Sequence, residues 1–264
     1  MATEPRPPEP GSTGAGVVCK HDPAFQMHRP QPGCKCGRLR PFRKLHAFTG
    51  CWLAIFVAVH MAISVTGVHP AQYQAAVGTI HQWLGAYSAA VLAVILAVFA
   101  VQAVSGVYLA AKEGLQYNVK RCDRGGKLRF FLQRASGLLI LLFLAAHLGL
   151  MRGWGAAGER APAATMAQAA FSSTISAFHP WRLSAANLLL LALLLLSIWG
   201  VAYHAANGAL SGAILWKVVR SAGPRAAWSY VCVAIGVVLA VLGTAAWYAF
   251  SLSPQVQTAL AAGF

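Results

Sequence analysis

Thr49-Gly50-Cys51-Trp52-Leu53-Ala54-Ile55-Phe56-Val57-Ala58-Val59-His60 is written almost twice in this chain. The second copy is Ser136-Gly137-Leu138-Leu139-Ile140-Leu141-Leu142-Phe143-Leu144-Ala145-Ala146-His147. Each copy is a small hydroxyl residue, a glycine, a mostly apolar stretch and one histidine. Such a stretch reads as a helix in lipid, where backbone groups must bond within their own segment. An ionisable ring inside it is costly and is a functional candidate by default.

The 264 residues are 58% hydrophobic and 10% charged, against about 25% charged in a soluble domain. Five apolar runs, about 45–66, 79–111, 131–151, 183–216 and 226–250, each reach the roughly 20 residues that cross a bilayer. The expected fold is therefore all-α, an integral membrane bundle of five transmembrane helices within residues 38–264. The second and fourth runs are longer than a span needs and are expected to tilt or protrude. Residues 1–37 are rich in Pro and Gly and read as a disordered tail, without the apolar core of a secretory signal. Cys19, His21, Cys34 and Cys36 lie in this tail, either as a zinc site of non-standard spacing or as reduced, free side chains. No Cys-x-x-Cys-His occurs, so any haem is b-type.

The net charge is +15, with Lys+Arg 21 against Asp+Glu 6. Topology explains this balance better than nucleic-acid binding does, and no nucleic acid is expected as a partner. Arg38, Arg40, Arg43 and Lys44 precede the first span. Lys112, Lys120, Arg121, Arg124, Lys127, Arg129 and Arg134 fall between the second and third, and Lys217, Arg220 and Arg225 between the fourth and fifth. The alternate loops hold only Arg152, Arg160 and Arg182. The positive-inside rule then puts the N-terminus in the cytoplasm and the C-terminus outside, the outcome an odd number of spans requires. The polar segment 112–130 is expected to turn at Gly125-Gly126 and lie on the membrane surface, and the stretch from Gly67 to Gly78 is expected to be an outer loop.

His60 and His147 each lie five or six residues before the outer end of parallel helices. At about 1.5 Å per residue both rings sit roughly 8–9 Å below the outer surface. Equal depth suits two axial ligands of one haem iron, and neutral imidazole is a good ligand. Gly50 and Gly137 lie about 15 Å deeper, too far for this haem's edge but suited to close packing or to a second cofactor.

A second internal match supports that second cofactor. Gln102-Ala103-Val104-Ser105-Gly106 corresponds to His204-Ala205-Ala206-Asn207-Gly208. Both stretches lie toward the cytoplasmic end, but one carries glutamine where the other carries histidine. An amide is a poor iron ligand, so three arrangements stay open. Gln102 and His204 are structural; or a haem is held through His204 alone or with an unusual partner; or His46 supplies the missing ligand. His46 lies about 40° from the face of His60 and roughly 21 Å along the axis, near the depth of His204. One haem or two therefore remain open. Arg43, His46, Thr49, Arg134 and Ser136 are candidates for propionates or a quinone carbonyl. His69, His81, Trp83 and His179 belong to an outer aromatic belt, or, for His81, Trp83 and His179, to a quinone pocket.

On these residues the chain resembles the single-chain, five-helix cytochrome b subunits of succinate:quinone oxidoreductases, that is, succinate dehydrogenase and fumarate reductase. The matching stretches are Thr49 to Met61, Arg134-Ala135-Ser136-Gly137 through His147-Leu148, and Tyr203-His204-Ala205-Ala206-Asn207-Gly208. Leu45-His46-Ala47-Phe48-Thr49-Gly50 is similar to a Leu-His-Arg-x-Thr-Gly signature of related anchors, with Ala47 in place of arginine. The resemblance covers about 40–250. It implies an outer haem on His60 and His147, an inner ligand at His204, and Gln102 where the inner partner should stand. It implies an electron-transfer subunit in a bacterial inner membrane that passes electrons between an iron–sulfur partner and quinone, menaquinone or ubiquinone. A partner flavoprotein would carry the succinate or fumarate chemistry. Ala202 replaces a glutamate that some members use for proton movement. Oligomers of whole complexes stay open. The alternatives are a cytochrome b of another quinone-linked oxidoreductase, or a haem-free quinone-binding anchor.

Overall fold

The computed structural model describes residues 39–113, 124–151, 170–179 and 184–262. The tail at 1–37, with its four candidate zinc ligands, lies outside them. Among the described residues all regular structure is helical, and five helices are long and apolar enough to cross a membrane. These are α1 (Arg40–Val65), α3 (Ser88–Glu113), α4 (Arg124–Met151), α6 (Ala185–Leu215) and α7 (Ala222–Ser251). Three shorter helices sit at one end: α2 (Pro70–Leu84), α5 (Ala170–Phe178) and α8 (Pro254–Ala262).

Proline opens α1, α2 and α8, where its fixed φ fits and its missing N–H would have no helical partner. Ser184 caps α6, its side chain accepting from the Asn187 amide N–H at 3.2 Å. At the other end of α6, Lys217 takes a left-handed φ of 59°. The Val218 N–H bonds the Ala213 carbonyl and the Lys217 N–H the Ile214 carbonyl, the paired bonds of a Schellman stop.

Two boundaries differ from the sequence expectation. The stretch expected as an outer loop is mostly helix α2, and the second span begins at Ser88 rather than near 79. The break falls at Gly85, whose φ of 43° ends α2, a conformation open to glycine at little cost. Gly125-Gly126, expected as a turn, instead lies in the first turn of α4, where the cost of glycine in a helix is smallest because the end is only half-bonded.

α1 pairs with α3, α4 pairs with α6, and α7 closes the back against α1 and α6. α3 and α4 meet over a short stretch only, and α1 and α4 hardly touch. Small residues permit the tight contacts. A Cβ on Gly236 would lie 3.0 Å from the Ala206 Cβ, and one on Gly243 would overlap Ile198. Lipid tails give apolar helices no reason to associate, so close backbone approach must supply the attraction. Trp199 Nε1 donates to Thr244 Oγ1 and Trp247 Nε1 to the Leu191 carbonyl, tying α6 to α7. Facing outward are Phe48, Trp52, Ile55 and Val59 of α1 and Leu138 and Leu142 of α4, a surface suited to lipid.

The short helices build a small core of their own. Ile175, Ala249, Phe250 and Val256 are buried together, with Val68, Tyr73, Phe171 and Phe178 packed around them. Charge gathers at the opposite, basic end, where Lys44 lies over the Trp216 ring and Arg129 donates twice to Asn207 Oδ1.

Candidate functional site

The two copies of the repeated pattern meet. His60 of α1 and His147 of α4 face each other with ring centres 6.2 Å apart and planes 76° apart. A metal about 2 Å from each imidazole nitrogen, with each ring centre about 1 Å further back, gives a separation of about 6 Å. The observed spacing fits one metal held by both rings. Because α1 and α4 hardly touch, the rings bridge an opening rather than a packed seam, and His60 is exposed there while His147 is half-buried. Among the described residues no group of three or more His, Cys, Asp or Glu gathers. A metal here would need its equatorial ligands from elsewhere, as a porphyrin supplies them. On spacing, donor type and opening, the residues fit a bis-imidazole haem.

Phe56 stacks on His60 with centres 5.7 Å apart, and Phe143 on His147 at 5.4 Å. Phe56 also meets the edge of Phe99. These phenylalanines were not singled out from the sequence, although both stand four residues before the histidine in the repeat. In a helix that spacing puts them on the same face.

Toward the basic end the same two-fold design recurs, with one exchange. On α1 the order is His46, Thr49, Gly50; on α4 it is Gln133, Ser136, Gly137. On α3 it is Gln102, Ser105, Gly106; on α6 it is His204, Asn207, Gly208. Each half therefore holds one imidazole and one amide, but on opposite helices. The contacts obey the same correspondence. A Cβ on Gly50 would meet the Gln102 amide at 3.2 Å, and one on Gly137 would meet the His204 ring at 3.1 Å. A Cβ on Gly106 would meet the His46 ring at 3.0 Å, and one on Gly208 the Gln133 amide at 3.6 Å. These glycines cradle side chains, and close packing was one of the two roles expected for Gly50 and Gly137.

Hydrogen bonds fix both rings. Ser136 Oγ lies 3.1 Å from His204 Nδ1, in hydrogen-bond contact, and 3.2 Å from the Gln133 carbonyl. Ser105 Oγ donates to the Gln102 carbonyl and accepts from His46 Nδ1 at 3.0 Å. A ring that donates through Nδ1–H carries its lone pair at Nε2. That of His46 is filled by the Gln102 amide N–H at 3.2 Å, while Thr49 Oγ1 donates to the amide oxygen of Gln102. The other ring nitrogen of His204 has no hydrogen-bond partner among the described residues. In the other half, Asn207 Nδ2 donates to Gln133 Oε1 at 2.7 Å, and Gln133 Nε2 to the His204 carbonyl. Thr49, Ser105 and Ser136 are all buried.

The remaining candidates are dispersed. Arg43 is half-buried on the first turns of α1, and the Arg134 guanidinium lies over the Phe130 ring at 3.8 Å. His81 and Trp83 are exposed on the last turn of α2, and His69 at its start. The structure does not place His179 with them. It is buried, Nε2 donating to the Phe250 carbonyl at 3.1 Å and Nδ1 accepting from Asn187 Nδ2 at 3.0 Å. Both nitrogens are engaged, and this ring ties α5 to α6 and α7. No protein-family model, curated protein or solved structure matches the chain.

Proposed function

We propose that this chain is the haem b-carrying membrane anchor of a succinate:quinone oxidoreductase, placed in a bacterial inner membrane with its basic end and N-terminus in the cytoplasm. The observation that carries the reading is the pair His60 and His147, brought from two helices to the spacing of axial ligands. Iron, when bound there, supplies a one-electron carrier. His60 and His147 would hold it, and the stacked Phe56 and Phe143 would set the ring planes. The basic end is where an iron–sulfur partner would dock, with a flavoprotein beyond it, and menaquinone or ubiquinone would be the membrane partner. Among the described residues the only acidic one is Glu113, at the end of α3. This argues against a carboxylate relay for protons through the bundle.

A reduced-minus-oxidised spectrum of the purified full chain, produced with haem available, tests the cytochrome reading. The expected result is b-type absorbance that falls sharply in His60→Ala and in His147→Ala; absence of b-type absorbance in the wild type overturns it. Succinate added to membranes holding the whole complex is expected to reduce that haem, and failure to do so, where dithionite succeeds, points to another quinone-linked enzyme.

A further inference from the structure

We propose that the outward seam of α3, beside the groove between α3 and α4, is an interface for a second copy of this chain, two bundles pairing through parallel α3 helices. The inference does not depend on what the histidines bind.

α3 carries a heptad pattern that its own bundle does not use. Ala90, Ala93, Ala97, Ala100, Val104 and Val107 are spaced alternately by three and four residues, and all six are exposed. Residues at that spacing stay on one side of a helix that winds left-handedly around a partner, at a crossing of about 20°. Lipid imposes no such period. It also imposes no small side chains: the outward residues of α1 and α4 include Trp52, Ile55, Leu138 and Leu142, whereas four of the six on α3 are alanine. Small side chains let two backbones approach closely, which is what draws helices together in a bilayer. Valine, stiff at χ1, has few rotamers to lose on contact.

The internal two-fold correspondence shows that this face of the fold takes a helix. Gln102 corresponds to His204, so Ala97, Ala100 and Val104 correspond to Trp199, Ala202 and Ala206. On α6 those three positions face α7. Trp199 donates to Thr244, and a Cβ on Gly236 would lie 3.0 Å from the Ala206 Cβ and 3.5 Å from the Ala202 carbonyl. α7 packs on α6 and α1, so its two-fold counterpart would lie on α3 and α4. Those two helices meet over a short stretch only, and among the described residues no helix fills that place.

Outside the described residues, no stretch of the sequence is apolar over the roughly 20 residues that a span needs. A covering helix therefore comes from another molecule. α3 itself meets the requirement, with no charged residue from Ser88 to Ala111 and a small outward face. Two copies in one membrane share their orientation, so a two-fold axis along the membrane normal sets the α3 helices parallel. Each seam residue then meets its own counterpart, and one contact covers both seams.

The test uses the full chain in lipid vesicles, where single-molecule photobleaching counts copies as the protein-to-lipid ratio is lowered. A dimer is expected. Ala97→Leu and Ala100→Leu add bulk on the outward side, away from the bundle, and each is expected to raise the dimer dissociation constant at least tenfold. Cysteine pairs probe the same face without added bulk. With the six native cysteines replaced by serine, oxidation is expected to give disulfide-linked dimers of Ala97→Cys, Ala100→Cys and Val104→Cys. Leu92→Cys, exposed on another side of α3, is expected to give none. A monomer at every protein-to-lipid ratio overturns the proposal and assigns the seam to lipid. A dimer that ignores both leucine changes and does not cross-link along the seam overturns it by placing the interface elsewhere.

Discussion

The His60 and His147 rings stand 76° out of plane, and each is stacked on the phenylalanine one turn before it in its own helix. Each ring plane is therefore set within its own helix, and the placement of α1 and α4 sets the angle between them. Axial imidazoles in near-perpendicular planes give a strongly anisotropic low-spin ferric signal, distinct from the rhombic signal of parallel rings. A haem held by these two rings, as proposed, is expected to give an electron paramagnetic resonance (EPR) spectrum of the anisotropic type. A purely rhombic low-spin spectrum would contradict the ring placement.

Phe56→Leu and Phe143→Leu keep bulk but remove the stacked contact, worth about 0.5–1.5 kcal/mol. Each is expected to lower thermal stability slightly and to move the anisotropic signal toward the rhombic type. The double variant should shift it further than either single change. EPR of the three variants checks this, since a purely structural role would lower stability and leave the signal unmoved.

Glycine-to-alanine changes should split by location. Gly78 on α2 has nothing within 4 Å of a built Cβ, so Gly78→Ala should gain about 0.5–1 kcal/mol from helix propensity. At Gly243 the Cβ would overlap Ile198 Cγ2 and fall 3.1 Å from the Met61 methyl. Overpacking costs about 1–3 kcal/mol and outweighs the propensity gain, so Gly243→Ala should destabilise. Thermal melting in one detergent compares them.

His179 makes the capped end sensitive to acid. Burial pushes its pKa below the ordinary 6.5, although the bond to the Phe250 carbonyl works the other way. The folded form then binds fewer protons than the unfolded form. Stability is full above about pH 6.5 and falls as the pH drops below that value. Hydrogen exchange around Phe250 to Val256 should accelerate between pH 7 and pH 5 in the wild type, and this acceleration should shrink in His179→Gln.

Lys217 carries a left-handed φ at the Schellman stop of α6, a conformation costing a residue with a Cβ about 1–2 kcal/mol. Lys217→Gly is expected to recover about 1 kcal/mol, reduced by any loss of binding at the basic end. Denaturation of the isolated chain checks the gain.

Five apolar spans, their helical nature and the pair His60 and His147 were legible in the sequence. Hydropathy over a full span is strong enough to force a helix, and the repeat of His60 and His147 needed no tertiary knowledge to be noticed. Boundaries were read less well. Gly85 ends α2 only because its φ is positive, and Gly125-Gly126 joins α4 because a membrane helix can extend past its apolar run. Phe56 and Phe143 were hidden among other apolar residues, where composition cannot separate a ring stacked on a histidine from a lipid-facing one.

The sequence by itself determined that this is a membrane bundle with a repeated histidine design and one glutamine out of place, because a bilayer admits few solutions for such a chain. Tertiary structure alone decided what surrounds that glutamine. Angle and depth put His46 and His204 near one level, but the lone pair each offers depends on hydrogen bonds between helices. Those bonds join Thr49, Gln102, His46 and Ser105 in one half and Gln133, Ser136, His204 and Asn207 in the other. Such contacts link residues far apart in the chain, and only the packed bundle brings them together.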